Sequence, residues 1–389
     1  MIKAKLIVVL FNAPLSSGLD YAVQTMRILS QTNKVYGYSL GEPITWRDVV
    51  AGRFQKRKII QRFDQYIVIR PFFLIPGQRL RVIRVANYVL SGFFLFLYCA
   101  LKYVSYQKIV WFFEPFYIPP LLTLFQSYTS VYDCVDYFSA FSEYARKSEG
   151  EILPSVDYVF VNSQTLGDHI KKIRSDTKVV PLGFSLDLFE KFKNNQKTKK
   201  IDPKKLTIGY IGSISSRLDF LLLTKTIRAL PDVTFRFVGE IEKDVFERRD
   251  DLAYNIKKLQ SFPNVTFESK VSKDKVPQTI ASFDICIIPY RTQNLFNKYC
   301  HPMKLMEYFY MGKPVITTNI EEAYRYNGLV RIASTANEFA NQIIQIQRFG
   351  WDKKIQIQER RRARENSWKN KFEAISDALE REFSLRQLD

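Results

Sequence analysis

Three small groups of residues in this 389-residue chain have the types and spacing for chemistry. Lys304 and Glu307 stand three apart just behind Pro302, so on a helix both meet one side of its first turn. A helix N-terminus there offers free N–H groups and partial positive charge, which suit a phosphate. Gly212-Ser213-Ile214 closes an apolar run and Arg217 follows, a turn that can aim N–H groups and a guanidinium at a diphosphate. Lys270 or Lys304 can add a second positive charge. Asp133 and Asp136 end another apolar run three residues apart, which sends them to opposite faces of a strand. One of them can therefore face a cleft. Each group also has an ordinary use: Lys304 and Glu307 as solvated helix residues, Arg217 in a surface ion pair, an aspartate as a cap or turn residue.

The elements that must hold these residues alternate along the chain. Lys5 to Phe11 reads as a strand buried on both faces, followed by the small-residue turn Ser16-Ser17-Gly18 and a helix near 19–31. Further strands are expected at 108–113 (before Glu114), 131–136, 157–162 and 178–181, with Ser163 as a helix cap. Lys, Asn, Gln and Pro dominate 191–205, a solvated linker between a first domain over 1–190 and a second over 206–350. In the second domain, strands are expected at 206–211, 234–238, 265–267, 285–289 and 315–318, separated by helices, as in a doubly wound α/β sheet. Tyr290 follows one strand tip, where it can stack on a base or cap the sheet edge. Basic amphipathic helices fill 351–389.

Pro302-Met303-Lys304-Leu305-Met306-Glu307-Tyr308, followed by Gly312-Lys313-Pro314-Val315-Ile316, resembles the donor-binding helix of group-1-type glycosyltransferases. The resemblance implies the GT-B architecture: two Rossmann-like doubly wound domains facing across a cleft, with the last helices crossing back to the first domain. It implies that Met303, Lys304 and Glu307 contact a nucleotide-sugar donor, with Glu307 on the ribose hydroxyls. Tyr132-Asp133-Cys134-Val135-Asp136-Tyr137-Phe138-Ser139 resembles the segment carrying the catalytic aspartate of xanthan-type exopolysaccharide glucuronosyltransferases. That likeness makes Asp136 the base; by their places in the first turn and at strand tips, Ser17, Gly18, Glu114 and Asp133 are the acceptor-side candidates. Retaining relatives carry two glutamates eight positions apart, the second matching Glu307; the first is missing here, which favours an inverting mechanism.

Composition narrows the setting. Only two histidines are present, and the four cysteines form no CxxC pattern, which speaks against a zinc site or a histidine-driven triad. No Asp-x-Asp stands in a loop suited to a metal, so phosphate handling by Arg, Lys and helix dipoles, with no cofactor and no metal, is expected. A formal charge of +19 predicts a polyanionic partner. No nucleic-acid motif accompanies it, so an anionic membrane surface is preferred over nucleic acid. Val89 to Leu101 is an apolar run preceded by Arg79, Arg81 and Arg84; it fits either a buried helix or an interfacial segment. Ile2 to Phe11 reads as a first strand, not a signal peptide. The resulting expectation is a cytoplasmic enzyme on the membrane face, using a UDP-sugar and a lipid-linked or membrane-proximal glycan. A sugar-nucleotide epimerase of the same architecture and a non-catalytic polyanion-binding protein are the rivals.

Overall fold

The computed structural model describes residues 1–15, 21–51, 58–193, 206–241 and 249–385. The chain divides into two compact units: Met1–Leu182 with Lys369–Asp389, and Gly183–Trp368.

The first unit is built on an eight-stranded sheet. Its strands are β1 (Lys5–Phe11), β2 (Lys34–Ser39), β4 (Ile60–Arg62), β5 (Tyr66–Ile69), β7 (Gln107–Phe112), β8 (Thr129–Cys134), β9 (Tyr158–Val161) and β10 (Lys178–Val179), while β3 (Ile44–Thr45) and β6 (Phe72–Phe73) form a separate pair. The spatial order is β10-β9-β8-β7-β1-β2-β5-β4, parallel throughout except at the β4 edge. Helices α1 (Tyr21–Leu29), α2 (Trp46–Val50), α3 (Arg81–Lys102), α4 (Ile118–Leu122), α5 (Glu143–Ser155) and α6 (Gln164–Ile170) make the connections. Continuous apolar runs such as Leu6 to Phe11 and Ile109 to Phe113 are fully buried, as a sheet covered on both faces requires. Ser142 and Ser163 cap α5 and α6, each accepting an N–H from three residues on.

The second unit holds a six-stranded, all-parallel sheet ordered β13-β12-β11-β14-β15-β16. Its strands are β11 (Thr207–Ile211), β12 (Thr234–Val238), β13 (Val265–Glu268), β14 (Ile285–Ile288), β15 (Val315–Thr318) and β16 (Arg331–Ala333). The helices are α7 (Leu186–Lys193), α8 (Phe220–Ala229), α9 (Arg249–Gln260), α10 (Val276–Ala281), α11 (Leu295–Tyr299), α12 (Met303–Tyr310), α13 (Ala336–Phe349) and α14 (Lys353–Glu365). In both sheets the strand order reverses direction once, between β1 and β7 and between β11 and β14. Connections on either side of such a point leave a crevice at the strands' C-terminal ends.

Two boundaries move. The division falls at Leu182–Gly183 and not at 190, because α7 belongs to the second core: Phe189 is buried there, its ring 5.9 Å from that of Tyr310. Residues 194–205 of the expected linker lie outside the described residues. Only one helix, not the whole of 351–389, rejoins the first unit. Helix α14 buries Ala363 in the second core, and the return comes at Lys369, inside α15 (Trp368–Leu385).

That return is anchored by charge. Lys371 Nζ donates to Asp133 Oδ1 at 2.8 Å, with both side chains essentially unexposed. Phe372 packs on Trp111, ring centroids 5.9 Å apart. Asp133 is thus spent inside the sheet face under α15 and is not an acceptor-side residue; burial plus an ion pair leaves it no route to a substrate.

Removing one partner of such a pair strands a charge in the interior. Lys371→Met is expected to cost about 3–5 kcal/mol in urea denaturation, and Asp133→Leu in the same chain to restore most of it. A loss under about 1 kcal/mol would contradict this account of the helix anchor. In the second unit, burial pushes the Glu359 carboxyl up to about 8 from its ordinary 4.5, against one bond donated by Trp351 Nε1 at 3.0 Å. A carboxyl that keeps its proton folded and loses it unfolded makes stability fall as pH rises between those two values. Glu359→Gln should flatten the fall, read as chemical-denaturation midpoints from pH 5 to 8.

Candidate functional site

The crevice of the second sheet collects most of the predicted donor residues. β11 ends at Ile211, and Gly212 takes φ +137°, a backbone conformation open to glycine. A Cβ at Gly212 would come within 2.9 Å of Lys304 Cε, and one at Gly239 within 1.9 Å of the Gly212 carbonyl oxygen. The two glycines thus let the tips of β11 and β12 close up and admit the Lys304 side chain. Tyr210 OH donates to the Ser213 carbonyl at 2.8 Å and fixes the turn.

Tyr290, just past β14 and 2% exposed, is the seat of two cations. Lys304 Nζ donates to its hydroxyl at 2.7 Å and lies 5.2 Å from its ring centroid, with the Tyr210 ring at 5.1 Å. The Arg217 guanidinium lies 4.7 Å from the Tyr290 ring and 4.5 Å from that of Phe296. Arg217 Nε donates to Asn297 Oδ1 at 2.8 Å, and Nη2 to Cys300 Sγ at 3.3 Å. Asn297 is fully buried and donates to the carbonyls of Arg217 and Arg291, both at 2.9 Å. It therefore holds the backbone and the guanidinium of Arg217 together. Asn294 caps α11 with bonds from Phe296 and Asn297 N–H, which sets the angle of this clamp. Burial and the Arg217 charge both work to lower the Lys304 pKa, yet the oxygens of Tyr210 and Tyr290 hold it above the ordinary lysine value. Both cations stay charged at neutral pH.

Several expectations change here. The loop after Gly212 runs to Asp219, which caps α8 at Phe220. Gly212 N–H is bonded to the Val238 carbonyl and Ile214 N–H to that of Glu240, so neither points at a ligand. Beside this turn the positive charge comes from the side chains of Arg217 and Lys304. Tyr290 is 2% exposed, with Arg217 over its ring and Lys304 on its hydroxyl, and has no exposed face for a base. Lys270 stands apart on the surface, 3.5 Å from Glu240. Met303, Lys304 and Glu307 open α12 as expected, with Pro302 in the cap position and Gly312 (φ +64°) just past its end. Tyr299 occupies the position eight residues ahead of Glu307, next to the buried Cys300.

The first sheet builds its own polar cluster at the reversal between β1 and β7. Glu114, 4% exposed, accepts the Asn12 N–H at 3.1 Å and the Tyr21 hydroxyl. Burial raises its pKa, while these bonds oppose the rise. Asp136 is half-buried past the end of β8, and its carboxylate is among the charges that raise the Tyr21 pKa, after burial and Glu114. Its backbone carbonyl accepts Cys134 Sγ–H at 3.2 Å and Phe138 N–H at 3.0 Å, which hold the loop. The carboxylate of Glu149 on α5 braces the same loop, accepting from Tyr132 OH at 2.7 Å and Ser139 Oγ at 2.5 Å. Ser17 and Gly18 lie outside the described residues. Among the described residues, no group of three or more His, Cys, Asp or Glu side chains is arranged to hold a metal ion.

Sequence reasoning missed Asn12, Tyr21, Tyr210, Phe296 and Asn297. The one available signal was the spacing of Asn294 and Asn297 beyond the strand at 285–289, where an N-cap starts a helical turn.

Residues 205–348 match the family model described as glycosyl transferases group 1. The chain is 29% identical over 219 residues to TuaH of Bacillus subtilis (strain 168), named as a teichuronic acid biosynthesis glycosyltransferase. That match covers 52% of this chain and 53% of the relative, so the chain spans about half the length of the curated relative it matches. Sucrose-phosphate synthase (tll1590) from Thermosynechococcus elongatus superposes with a TM-score of 0.72 at 13% identity, covering 98% of this chain and 100% of its own. Anabaena Alr3699/HepE, in complex with UDP and glucose, gives 0.67 at 16% identity over 96% and 99%. The matched segment is the unit that carries the Tyr290 cluster, and both units are wound as in these structures. Residues 205–348 thus resemble a group 1 glycosyltransferase domain, and the chain as a whole shares the GT-B fold of these structures.

Proposed function

We propose that the protein moves a sugar from a nucleotide-sugar, a UDP-sugar by preference, to a hydroxyl of a lipid-linked or membrane-proximal glycan in cell-surface polysaccharide synthesis, on the cytoplasmic face of the membrane. The observation that carries this reading is the pairing of Arg217 and Lys304 on Tyr290 at the strand-order reversal of the second sheet. Two fixed cations side by side suit a diphosphate, whose charge grows as the sugar C1–oxygen bond breaks. Glu307, three residues after Lys304 on α12, takes the ribose hydroxyls. The HepE complexes with UDP and with UDP-glucose support a uridine donor, and the teichuronic acid name of the Bacillus relative supports a surface polysaccharide.

In this reading Asp136 takes the acceptor hydroxyl proton. The freed oxygen bonds to C1, and the bonding pair leaves with the β-phosphate oxygen, where Arg217 and Lys304 meet it. No metal takes part, because the two side chains supply the countercharge. Inversion at C1 follows from a single displacement.

Thermal unfolding with UDP, GDP, ADP and CMP, each with and without EDTA, tests the donor half. A nucleotide at about 100 times its dissociation constant stabilises by roughly 2.7 kcal/mol, a rise of several degrees. UDP alone is expected to give that rise, unchanged by EDTA and lost in Lys304→Met and Glu307→Ala. Asn297→Ala should weaken it by releasing Arg217. No shift with any nucleotide would sink the donor site and favour the polyanion-binding reading. For the acceptor half, Asp136→Asn should lower turnover about 10²–10⁴-fold and leave the UDP shift intact. Full turnover in that variant would move the base elsewhere, Glu114 first.

A further inference from the structure

Helix α3 is longer than the apolar run that announced it, 22 residues from Arg81 to Lys102, and it is lopsided. One face is packed into the first unit through Asn87, Tyr88, Gly92, Leu95 and Cys99. Asn87 bonds the N–H and carbonyl of Ile75 at 2.9 and 2.8 Å, Tyr88 OH reaches the Leu40 carbonyl at 2.6 Å, and a Cβ at Gly92 would sit 3.1 Å from Leu121. The opposite face carries Val82, Phe93, Phe94, Leu97, Tyr98 and Leu101, all exposed, Phe94 by 58% and Leu101 by 72%. An 18-residue window of the helix has a mean hydropathy of 1.6, yet only 28% of it is buried. Leu74 and Ile75, both 41% exposed, are tied alongside by Asn87, and the half-exposed Trp46 is linked to them through its Nε1–H to the Leu74 carbonyl at 3.3 Å.

We propose that this face, with Trp46, Leu74 and Ile75, is seated in the interfacial layer of an anionic lipid bilayer, α3 lying in the membrane plane. Length alone would let α3 span hydrocarbon. Spanning would require tearing Asn87, Tyr88 and Gly92 out of the unit, and only one side of the helix is free to meet lipid. A stripe of Phe and Leu on a helix anchored from behind is the geometry of an interfacial helix. Tyr98, with Lys102 Nζ donating to its hydroxyl at 2.8 Å, sets an aromatic and an ammonium at the end of the stripe, where headgroups lie. The bond to Tyr98 holds the Lys102 pKa above its ordinary value, and the exposed Arg62 is near enough for its charge to be felt there. These cations and the chain's +19 select anionic over zwitterionic lipid. The surface lies on the first unit and stands apart from the transfer chemistry.

Co-sedimentation of the whole chain with phosphatidylglycerol–phosphatidylcholine vesicles, against pure phosphatidylcholine, tests it. Wild type is expected to bind the anionic vesicles at least 10-fold better. The triple variant Phe93→Ser, Phe94→Ser, Leu97→Ser should lose at least 10-fold of that binding, and Lys102→Glu several-fold. Both should keep the wild-type melting temperature and UDP shift, which report folding and the second unit. Undiminished vesicle binding by the triple variant would overturn the proposal, since charge alone would then suffice. So would light scattering that shows a dimer dissociated by the triple variant with no vesicle binding in wild type, because the face would then cover a second copy.

Discussion

A parallel sheet sends the C-terminal end of every strand to the same edge, and the protein places its polar chemistry along that edge twice. The central strands carry long apolar runs buried on both faces, such as Leu6 to Phe11 and Ile109 to Phe113, and leave little room there for polar groups. Much of the polar chemistry collects where the strands stop. In the first unit that is Asn12, Glu114 and Asp136, beyond β1, β7 and β8. In the second it is Gly212 and Tyr290, beyond β11 and β14, with Lys304 reaching in from α12. Reversal of strand order at both places keeps crossing helices away and leaves the edge open.

The way the second edge holds its cations differs from an ordinary ion pair. A carboxylate beside Arg217 would cancel the charge it positions. An aromatic face attracts a cation through its quadrupole without neutralising it. Tyr290 holds Arg217 by its face and Lys304 by its hydroxyl oxygen, and Asn297 adds a second neutral oxygen. The field of the two cations therefore survives their immobilisation, which is what pre-organised stabilisation of a leaving phosphate requires. The close approach of β11 and β12 that makes room for Lys304 uses up the N–H groups of Gly212 and Ile214 in strand-to-loop bonds.

Much of this was legible in the residues. Strands at Lys5–Phe11, Thr234–Val238 and Val315–Thr318 stand at the predicted bounds, because unbroken apolar runs between turn residues leave little choice. The α12 segment was readable from Pro302 and Gly312, which fix both its ends. β2 and β5 were not, since Gly37 breaks the run of β2 and the basic residues around β5 mask its short Tyr66–Ile69 core. At the site, residue types near a strand tip could be named, but which contact which could not. Asp133 and Asp136 look alike in sequence; Lys371, 238 residues away from Asp133, is what separates them. Asn297 and Tyr210 escaped for the same reason, their roles being set by partners distant in the chain.

Lys371 has a consequence for the order of events in synthesis. The second unit, Gly183–Trp368, is an insertion between two pieces of the first. A ribosome therefore completes the Asp133 and Trp111 face long before it makes the helix that covers that face. Until α15 emerges, an unpaired aspartate and a tryptophan stay open on an otherwise finished sheet, while the inserted unit has every residue it needs to fold. The first unit to be started is the last to be finished, and its closure is a contact of very long loop, slow by topology. The nascent chain would depend on that interval being covered, by a chaperone or by speed.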